Sequence, residues 1–278
     1  MQHTLGRPFR VAGVGLRGGR PAAVDVRPAP ANTGRVFVVG GVPIPATVEH
    51  VVDTRLATTL GRAGARVSLV EHLCAALYAA GVDNVIIHVE GDELPALDGS
   101  ARLWCAAVRQ AGLVPQGVAR RVLVLREPVE VRADDAWARF EPGDRSEPGG
   151  RFELDLTITF DHPNIGTQRY TGAATGQPFF TELAWARTFG FFRDAEPLRA
   201  LGIARGVSLE NTVVYDDAGI MNPEGLRAAD EAVRHKALDA VGDAALLGMA
   251  LRGRFTAYRA GHALHLALLR RINEAAAG

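Results

Sequence analysis

The segment VRHKALDAVGDAALLGMAL, residues 233–251, carries ionisable side chains at every fourth position of an otherwise apolar stretch: His235, Asp239 and Asp243. Residues four apart lie one above another on an α-helix, so His235 and Asp239 can present a nitrogen and a carboxylate oxygen to one point. An exposed pair that only solvates a helix surface would have the same spacing. The Ala- and Leu-rich surroundings favour burial, and a buried carboxylate needs a cation or hydrogen-bond donors. The segment therefore predicts two metal ligands.

A catalytic zinc site has three protein ligands and an open position, so a third ligand must come from elsewhere in the chain. Of the eight histidines, His235 is one of the two ligands already predicted, and five others have simpler interpretations as surface, strand, turn or final-helix residues: His3, His50, His88, His162 and His265. His72 and His262 remain. His72 follows Glu71 near the start of a predicted helix. Such a pair can serve metal-assisted hydrolysis, in which the histidine binds the ion and the glutamate takes a proton from water.

Glu71 and His262 each have a structural alternative. Ser68 and Glu71 match the S-x-x-E capping box, in which the glutamate side chain folds back to the amide at the start of the helix. His262 could simply begin the last helix. A helix N-terminus lowers the pKa of a histidine, so His262 would need a carboxylate partner to act as a protonated acid. Asp243 is available for that role.

The elements that must position these residues alternate strand-like runs with helical periodicity. AAVDVRP, RVFVV and NVIIHVE are strand-like, VSLVEHLCAALYAAG is helical between Ser68 and Gly81, and ARLWCAAVRQAG is a helix that ends near Gly112. The stretch GLVPQGVARR, residues 112–121, is the best linker. After it come the strand-like RVLVL, VEVR, WARF and FELDLTITF, the loop-like GDRSEPGG, the helix of residues 233–251 and a last helix from about Gly261.

Each half of the chain thus runs strands first and helices afterwards, although no sequence repeat is visible. We therefore predict an α+β fold of two similar domains, residues 1–121 and 122–278. Each domain is expected to be a β-sheet layer packed against helices, as a β-α-α-β sandwich. GDRSEPGG is expected to be an exposed hairpin loop of the second domain.

The composition excludes several classes of protein. Lys plus Arg and Asp plus Glu both number 31 in 278 residues, so no overall field would attract nucleic acid or an anionic membrane. A chain that is 47% hydrophobic and 22% charged is typical of a folded globular protein. MQHTLGRPFR lacks the apolar core of a secretory signal, and the apolar runs are too short to span a bilayer. We expect a cytoplasmic protein without stable membrane insertion, in which Cys74 and Cys105 are buried thiols.

Motifs along nearly the whole chain, from about residue 3 to residue 268, resemble those of the UDP-3-O-acyl-N-acetylglucosamine deacetylases of lipid A biosynthesis. They are RPAPANTG, SLVEHLCAAL, LDGSA, ARTFGFFRD, GLRAADEAVRHKALDAVGD and FTAYRAGHAL. The resemblance implies a zinc-dependent amidohydrolase, with Fe²⁺ as an alternative ion. Its expected substrate is UDP-3-O-(3-hydroxyacyl)-N-acetylglucosamine, from which it would release acetate in the committed step of the pathway. The resemblance also implies that the site lies between the two domains.

The same resemblance implies catalytic roles for residues of this chain. Glu71 would be the general base on the attacking water, and Thr188 would donate its hydroxyl to the oxyanion. His262, oriented by Asp243, would be the protonated group beside the tetrahedral intermediate. Either Glu71 or His262 could protonate the leaving amine. The implied zinc ligands are His72, His235 and Asp239.

Substrate contacts are implied in the same way. Lys236 would contact the substrate, Phe189 and Phe191 would flank the sugar and the passage for the acyl chain, and Phe160 would stack on the uracil. The segment 195–215 matches the inserted element that forms this passage, although an ordinary hairpin or helix is the alternative. Its apolar residues are Leu198, Leu201, Ile203 and Val207.

Two positions depart from the family pattern near the expected nucleotide and diphosphate. GVGLRGG has Arg17 and Gly18 where the family usually has a histidine and a hydroxyl residue, and Phe140 is followed by Glu141 instead of a lysine. These departures suggest, as one alternative, a paralogue that deacetylates a different acylated sugar. A catalytically silent homologue that only binds metal and nucleotide sugar is the other alternative, which the intact proton-transfer residues disfavour. We expect a monomer.

Overall fold

The computed structural model describes residues 1–143 and 151–277, so residues 144–150 of the expected hairpin loop GDRSEPGG lie outside the described residues. In the first half the helices are α1 (Glu71–Ala80) and α2 (Arg102–Ala111). The strands are β1 (His3–Leu5), β2 (Phe9–Val14), β3 (Pro21–Pro28), β4 (Arg35–Val39), β5 (Val42–Pro45), β6 (Val51–Asp53), β7 (Thr59–Arg62), β8 (Ala65–Ser68), β9 (Val85–Glu90) and β10 (Leu113–Pro115).

In the second half the helices are α3 (Phe192–Ala200), α4 (Glu231–Ala244) and α5 (His262–Ala277). The strands are β11 (Val122–Leu123), β12 (Val129–Ala133), β13 (Ala136–Pro142), β14 (Phe152–Thr159), β15 (Thr167–Ala173), β16 (Phe189–Phe191), β17 (Val213–Asp216), β18 (Gly219–Ile220), β19 (Ala250–Leu251) and β20 (Gly253–Tyr258). Short 3₁₀ segments span Val48–His50 and Ala245–Leu247, and a π-helical turn spans Phe179–Leu183.

Two five-stranded sheets have the same topology. One has the order β2-β3-β9-β4-β5 and the other β12-β13-β20-β14-β15. In each sheet only the third pair is parallel, β9 with β4 and β20 with β14, and the other pairs are antiparallel. In the first half, α1 is the element before the central strand β9. In the second half, α4 and a 3₁₀ turn come before the short strand β19, which is followed by the central strand β20. The predicted α+β class with two similar halves is confirmed, whereas the boundary at residue 121 stays a prediction.

Helices α1 and α4 pack against each other in the core, and nearly every residue of both is buried. Gly242 allows this close approach, because a Cβ at that position would lie 2.2 Å from the carbonyl oxygen of Glu71. The buried guanidinium of Arg35 ties the C-terminal ends of the two helices together. Its two terminal nitrogens donate to the carbonyl oxygens of Val82, at 2.9 Å, and Ala245, at 2.7 Å. Gly242 and Arg35 thus fix how the two helices pack against each other.

The predicted helix of residues 233–251 is too long by seven residues. The α-helix ends at Ala244, a single 3₁₀ turn follows, and Gly248 adopts the left-handed conformation with φ 65°. Residues 250 and 251 then pair with β11 as a strand. The apolar composition continues beyond Ala244, so it did not reveal where the helix ends. A left-handed glycine such as Gly248 is a common way to end a helical segment.

Both cysteines are buried and free, as predicted. Among the helices of the described residues, none combines the length and apolar character needed to cross a bilayer.

Candidate active site

The three predicted metal ligands lie close together, with both histidines directed at one oxygen of the aspartate. Oδ1 of Asp239 lies 3.3 Å from Nε2 of His235 and 3.7 Å from Nε2 of His72. The three side chains are buried, and one donor atom from each lies within 4.8 Å of the others. His235 and Asp239 share a face of α4 because they are four residues apart, and His72 arrives on the first turn of α1.

Hydrogen bonds around this cluster leave its inner atoms free. His235 donates from Nδ1 to the carbonyl oxygen of Ala186 at 3.0 Å, so its Nε2 carries the lone pair. Burial lowers the pKa of His235 to about 4, which keeps the ring neutral near pH 7. The outer oxygen of Asp239, Oδ2, accepts from Nζ of Lys236 at 3.0 Å. Oδ1 of Asp239, the oxygen that both histidine Nε2 atoms approach, is buried without a hydrogen-bond partner among the described residues.

A divalent metal ion fits these residues. Burial disfavours an ionised Asp239, but His235 and Lys236 hold the pKa of its carboxyl well below the ordinary value, so it is an anion. An anionic oxygen without a partner is costly in the interior unless a cation meets it. Two imidazole nitrogens and one carboxylate oxygen are also a typical ligand set for catalytic zinc.

Glu71 lies beside this cluster and does not form the capping box. The N-cap of α1 is Val70, without a side-chain cap, and the hydroxyl of Ser68 bonds that of Thr59 at 2.8 Å. Oε2 of Glu71 instead accepts from the backbone N–H of Thr58 at 3.1 Å. The carboxyl is buried, and burial raises its pKa. A carboxylate with a raised pKa is suited to accepting a proton.

His262 faces the same space from the opposite side. Its Nε2 is 4.0 Å from Oε1 of Glu71 and 3.8 Å from Oδ2 of Asp239, and its Nδ1 is 2.8 Å from Oδ2 of Asp243. Burial disfavours the protonated ring, but the carboxylate of Asp243 outweighs this and raises the pKa of His262 to about 9. His262 is therefore protonated near pH 7, as its predicted role requires.

Two further residues of this network escaped the sequence analysis. The hydroxyl of Thr58 donates to Oδ1 of Asp243 at 2.8 Å, so Thr58 contacts Asp243 through its side chain and Glu71 through its backbone. His265, interpreted from sequence as an ordinary residue of the last helix, has Nδ1 at 2.9 Å from Oδ2 of Asp243. Its position one turn after His262 was the available signal. For Thr58 the sequence offered none.

A cavity of about 310 Å³ adjoins the cluster and is lined by Lys236 and Thr188. The remaining predicted substrate residues on its wall are Phe160, Phe189, Phe191, Leu198, Ile203 and Val207. The three Phe rings contact one another, with centroids 5.4 to 6.5 Å apart. Leu201, the remaining apolar residue of the segment 195–215, is instead 74% exposed. That segment begins within α3 and continues as an irregular loop to β17.

Thr188 is held by backbone bonds to both halves of the chain. Its N–H donates to the carbonyl oxygen of Gly99, in the LDGSA motif, at 2.8 Å, and its own carbonyl accepts from Val213 at 2.8 Å. Gly99 has φ 76°, and a Cβ there would lie 1.9 Å from the carbonyl oxygen of Asn211. A glycine is therefore required at the contact that places Thr188 on the cavity wall.

The two departures from the family pattern lie in different surroundings. Arg17 lines the cavity, and its guanidinium is 3.6 Å from the carboxylate of Asp53. Glu141 lies on β13, where it forms an ion pair with Arg139 at 3.0 Å. Of the two, Arg17 is therefore the one in contact with the space that a substrate could enter.

Comparisons with known proteins show the family to which the chain belongs. A profile of the family described as UDP-3-O-acyl N-acetylglycosamine deacetylase (LpxC) matches residues 2–274. Three relatives carry the name UDP-3-O-acyl-N-acetylglucosamine deacetylase. The one from Anaeromyxobacter dehalogenans (strain 2CP-C) is 46% identical over 98% of this chain and 87% of its own length. Those from Myxococcus xanthus (strain DK1622) and Wolinella succinogenes are 45% and 40% identical over 98% of this chain, and over 86% and 90% of their own lengths. The chain belongs to the family of UDP-3-O-acyl N-acetylglycosamine deacetylases.

Proposed function

We propose that the protein is a zinc-dependent enzyme that hydrolyses the N-acetyl group of UDP-3-O-(3-hydroxyacyl)-N-acetylglucosamine and releases acetate, in the committed step of lipid A biosynthesis. One observation carries the proposal. A glutamate with a raised pKa and a protonated histidine face each other, with Nε2 and Oε1 4.0 Å apart, beside a buried cluster of metal-ligand type. The printed names of the relatives support the choice of substrate.

His72, His235 and Asp239 would hold the metal. When bound, the ion would polarise the acetamide carbonyl and increase the acidity of water at the site near neutral pH. We propose zinc as this ion, and Fe²⁺ is the alternative because imidazole and carboxylate ligands suit it as well.

The protein's own groups would then move the protons and hold the developing charge. Glu71 accepts a proton from the water whose oxygen bonds to the acetamide carbon. The hydroxyl of Thr188 donates a hydrogen bond to the oxyanion that forms from the carbonyl. As the carbon–nitrogen bond breaks, the amine nitrogen takes a proton, either the one held by Glu71 or the one on Nε2 of His262. Acetate and the free amine of the sugar result.

The cavity supports the proposed substrate. Leu198, Ile203 and Val207 on its wall give an apolar surface for a 3-hydroxyacyl chain, and the three Phe rings near Lys236 would flank the sugar and the uracil. A second candidate is a paralogous activity on a different acylated sugar. It is favoured by Arg17, which puts a guanidinium on the same wall where the family usually has a histidine.

We also propose a cytoplasmic monomer with two domains that meet near residue 121, and light scattering after gel filtration would test the monomer.

Acetate release by the purified protein tests the function. The protein is loaded with one equivalent of zinc and incubated with the acylated UDP-sugar, with and without a chelator. A matched reaction contains UDP-N-acetylglucosamine, which lacks the acyl chain. We expect release from the acylated substrate, its loss with chelator and its return with added zinc. The absence of release by zinc-loaded protein would refute the proposal, and release from another acylated sugar alone would favour the paralogue.

The variant Glu71→Gln separates metal binding from proton transfer. The amide keeps the size of the side chain but cannot accept a proton. We expect acetate release to be about 10²–10⁴ times slower with zinc content unchanged. Zinc loss in this variant would show that Glu71 has been assigned the wrong role.

A further inference from the structure

The carboxylate of Asp243 is fully buried and is surrounded by three donors. Its Oδ2 is 2.8 Å from Nδ1 of His262 and 2.9 Å from Nδ1 of His265, and its Oδ1 accepts from the hydroxyl of Thr58 at 2.8 Å. The family resemblance implies that Asp243 orients His262, which can donate the proton to the amine in the proposed mechanism. That mechanism assigns no part to His265, although that ring makes an equally short bond to the same oxygen.

The surroundings of His265 show that its nitrogen is present for this bond. The ring is 1% exposed, and its edge packs on Phe255 with the ring centroids 5.4 Å apart. Nδ1 bonds Asp243, and the other ring nitrogen, Nε2, is buried and has no partner within residues 1–143 and 151–277. A leucine would fill such a place without leaving a polar atom unpaired. The bond from Nδ1–H to Asp243 is therefore the contact that an imidazole supplies here and a leucine would not.

A second metal site on these residues does not fit. Asp243, His262 and His265 have donor atoms within 4.8 Å of one another. The two nitrogens, however, lie at hydrogen-bond distance from the carboxylate oxygen, 2.8 and 2.9 Å, which leaves no room for an ion between them. Both nitrogens must carry the protons that they donate.

We propose that His265 is a positioning residue that fixes the carboxylate of Asp243, and through it the direction in which His262 presents Nε2. The carboxylate hangs on two rotatable bonds, and two donors on Oδ2 together with one on Oδ1 define a single orientation. This orientation places Nε2 of His262 between Glu71 and Asp239, at 4.0 and 3.8 Å. A misplacement of about 1 Å at a reacting group can slow catalysis by about 10²-fold. The inference rests on the proposed deacetylase function.

Two matched variants test the donor. His265→Asn keeps an N–H donor, because the amide nitrogen of asparagine is as many bonds from the backbone as Nδ1 of histidine. His265→Leu keeps the volume and removes the donor. We expect kcat to fall about 10- to 100-fold in His265→Leu, with KM and zinc content within about twofold of wild type. His265→Asn should retain kcat within about threefold. A wild-type kcat in His265→Leu, or equal losses in both variants, would overturn the proposal.

A double-mutant comparison tests whether His265 acts through Asp243. If it does, His265→Leu should cause no further loss of kcat in the Asp243→Asn background, because effects transmitted through one group are not additive. Losses that multiply would overturn the proposal. Should His265→Leu fail to fold, His265→Gln replaces it, since its amide lies one bond further away and is expected to lower kcat to the same extent.

A readout without turnover distinguishes failure of this inference from failure of the proposed function. In protein labelled with ¹⁵N-histidine, the Nδ1–H protons of His262 and His265 should give downfield proton signals. His265→Leu should shift the His262 signal, whereas His265→Asn should leave it near its wild-type position. An unchanged His262 signal in His265→Leu would refute the positioning role even if wild-type protein proved inactive on the acylated UDP-sugar.

Discussion

Replacing Gly242 with alanine should reduce activity far more than it reduces stability. The added Cβ would lie 2.2 Å from the carbonyl oxygen of Glu71 and 2.9 Å from its Cα, both of them backbone atoms that cannot rotate away. An ordinary van der Waals contact needs about 3.5 Å, so α1 and α4 must separate locally by about 1 Å. The first turn of α1 carries Glu71 and His72, which would move away from His235 and Asp239. A displacement of this size should slow acetate release by about 10²-fold.

The stability cost of the same change is smaller because two effects oppose each other. Overpacking of a core costs about 1–3 kcal/mol. Alanine in a helix interior is favoured over glycine by about 1 kcal/mol. The free energy of unfolding should therefore fall by about 2 kcal/mol or less.

The assay compares kcat for acetate release, zinc stoichiometry and thermal unfolding in Gly242→Ala and wild type. Gly261→Ala is the matched control, because a Cβ at that position meets no described atom within 4 Å. The control should keep wild-type kcat. If Gly242→Ala turns over substrate within about threefold of wild type, the contact between the two helices does not set the geometry of the site and the reasoning is refuted.

Three further predictions concern single side chains. Asp239→Ala should lose zinc during dialysis at free zinc concentrations at which wild type retains the ion, because the anionic ligand is gone. An unchanged zinc stoichiometry would contradict the assignment of Asp239 as a metal ligand. Thr188→Val, which keeps the shape of the side chain, should lower kcat by about 10²–10³-fold with little change in KM, and a wild-type kcat would exclude the oxyanion role. Asp98→Asn should destabilise the protein by about 1 kcal/mol at pH 7 in thermal unfolding. Burial opposes ionisation of Asp98, but Ser100 and Arg227 hold its pKa below the ordinary value, so this stabilisation exists above pH about 4 and is lost as the pH falls. The difference between variant and wild type should therefore shrink in acid, and a constant difference would contradict this reasoning.

Local spacing explains which parts of the site could be predicted from the sequence. His235 and Asp239 meet because they are four residues apart on one helix, and this requires no knowledge of the rest of the fold. Strands β3, β4, β9, β12, β13 and β14 and the α+β arrangement in two halves followed from similar local patterns, whereas β2, β5, β15 and β20 of the two sheets were not predicted. The specific roles of His262 and Thr188 came from the family resemblance, since their neighbours are distant in sequence.

Contacts between distant segments explain what could not be predicted. Glu71 matched a capping box by spacing, and its actual partner, the backbone of Thr58, depends on how β7 approaches α1. The role of Gly242 is visible only once α1 lies against α4. His265 lies one turn after His262, but its bond to Asp243 exists only once α5 lies against α4.

The shared topology of the two five-stranded sheets places two unlike helices in equivalent positions. Helices α1 and α4 occupy the same place in the order of their halves, and they pack against each other. One helix contributes Glu71 and His72 to the site, and the other contributes His235 and Asp239. In a dimer of identical chains, a contact about a twofold axis would repeat the same side chains on both helices. Because both helices belong to one polypeptide here, each carries its own side chains, and the result is an asymmetric site.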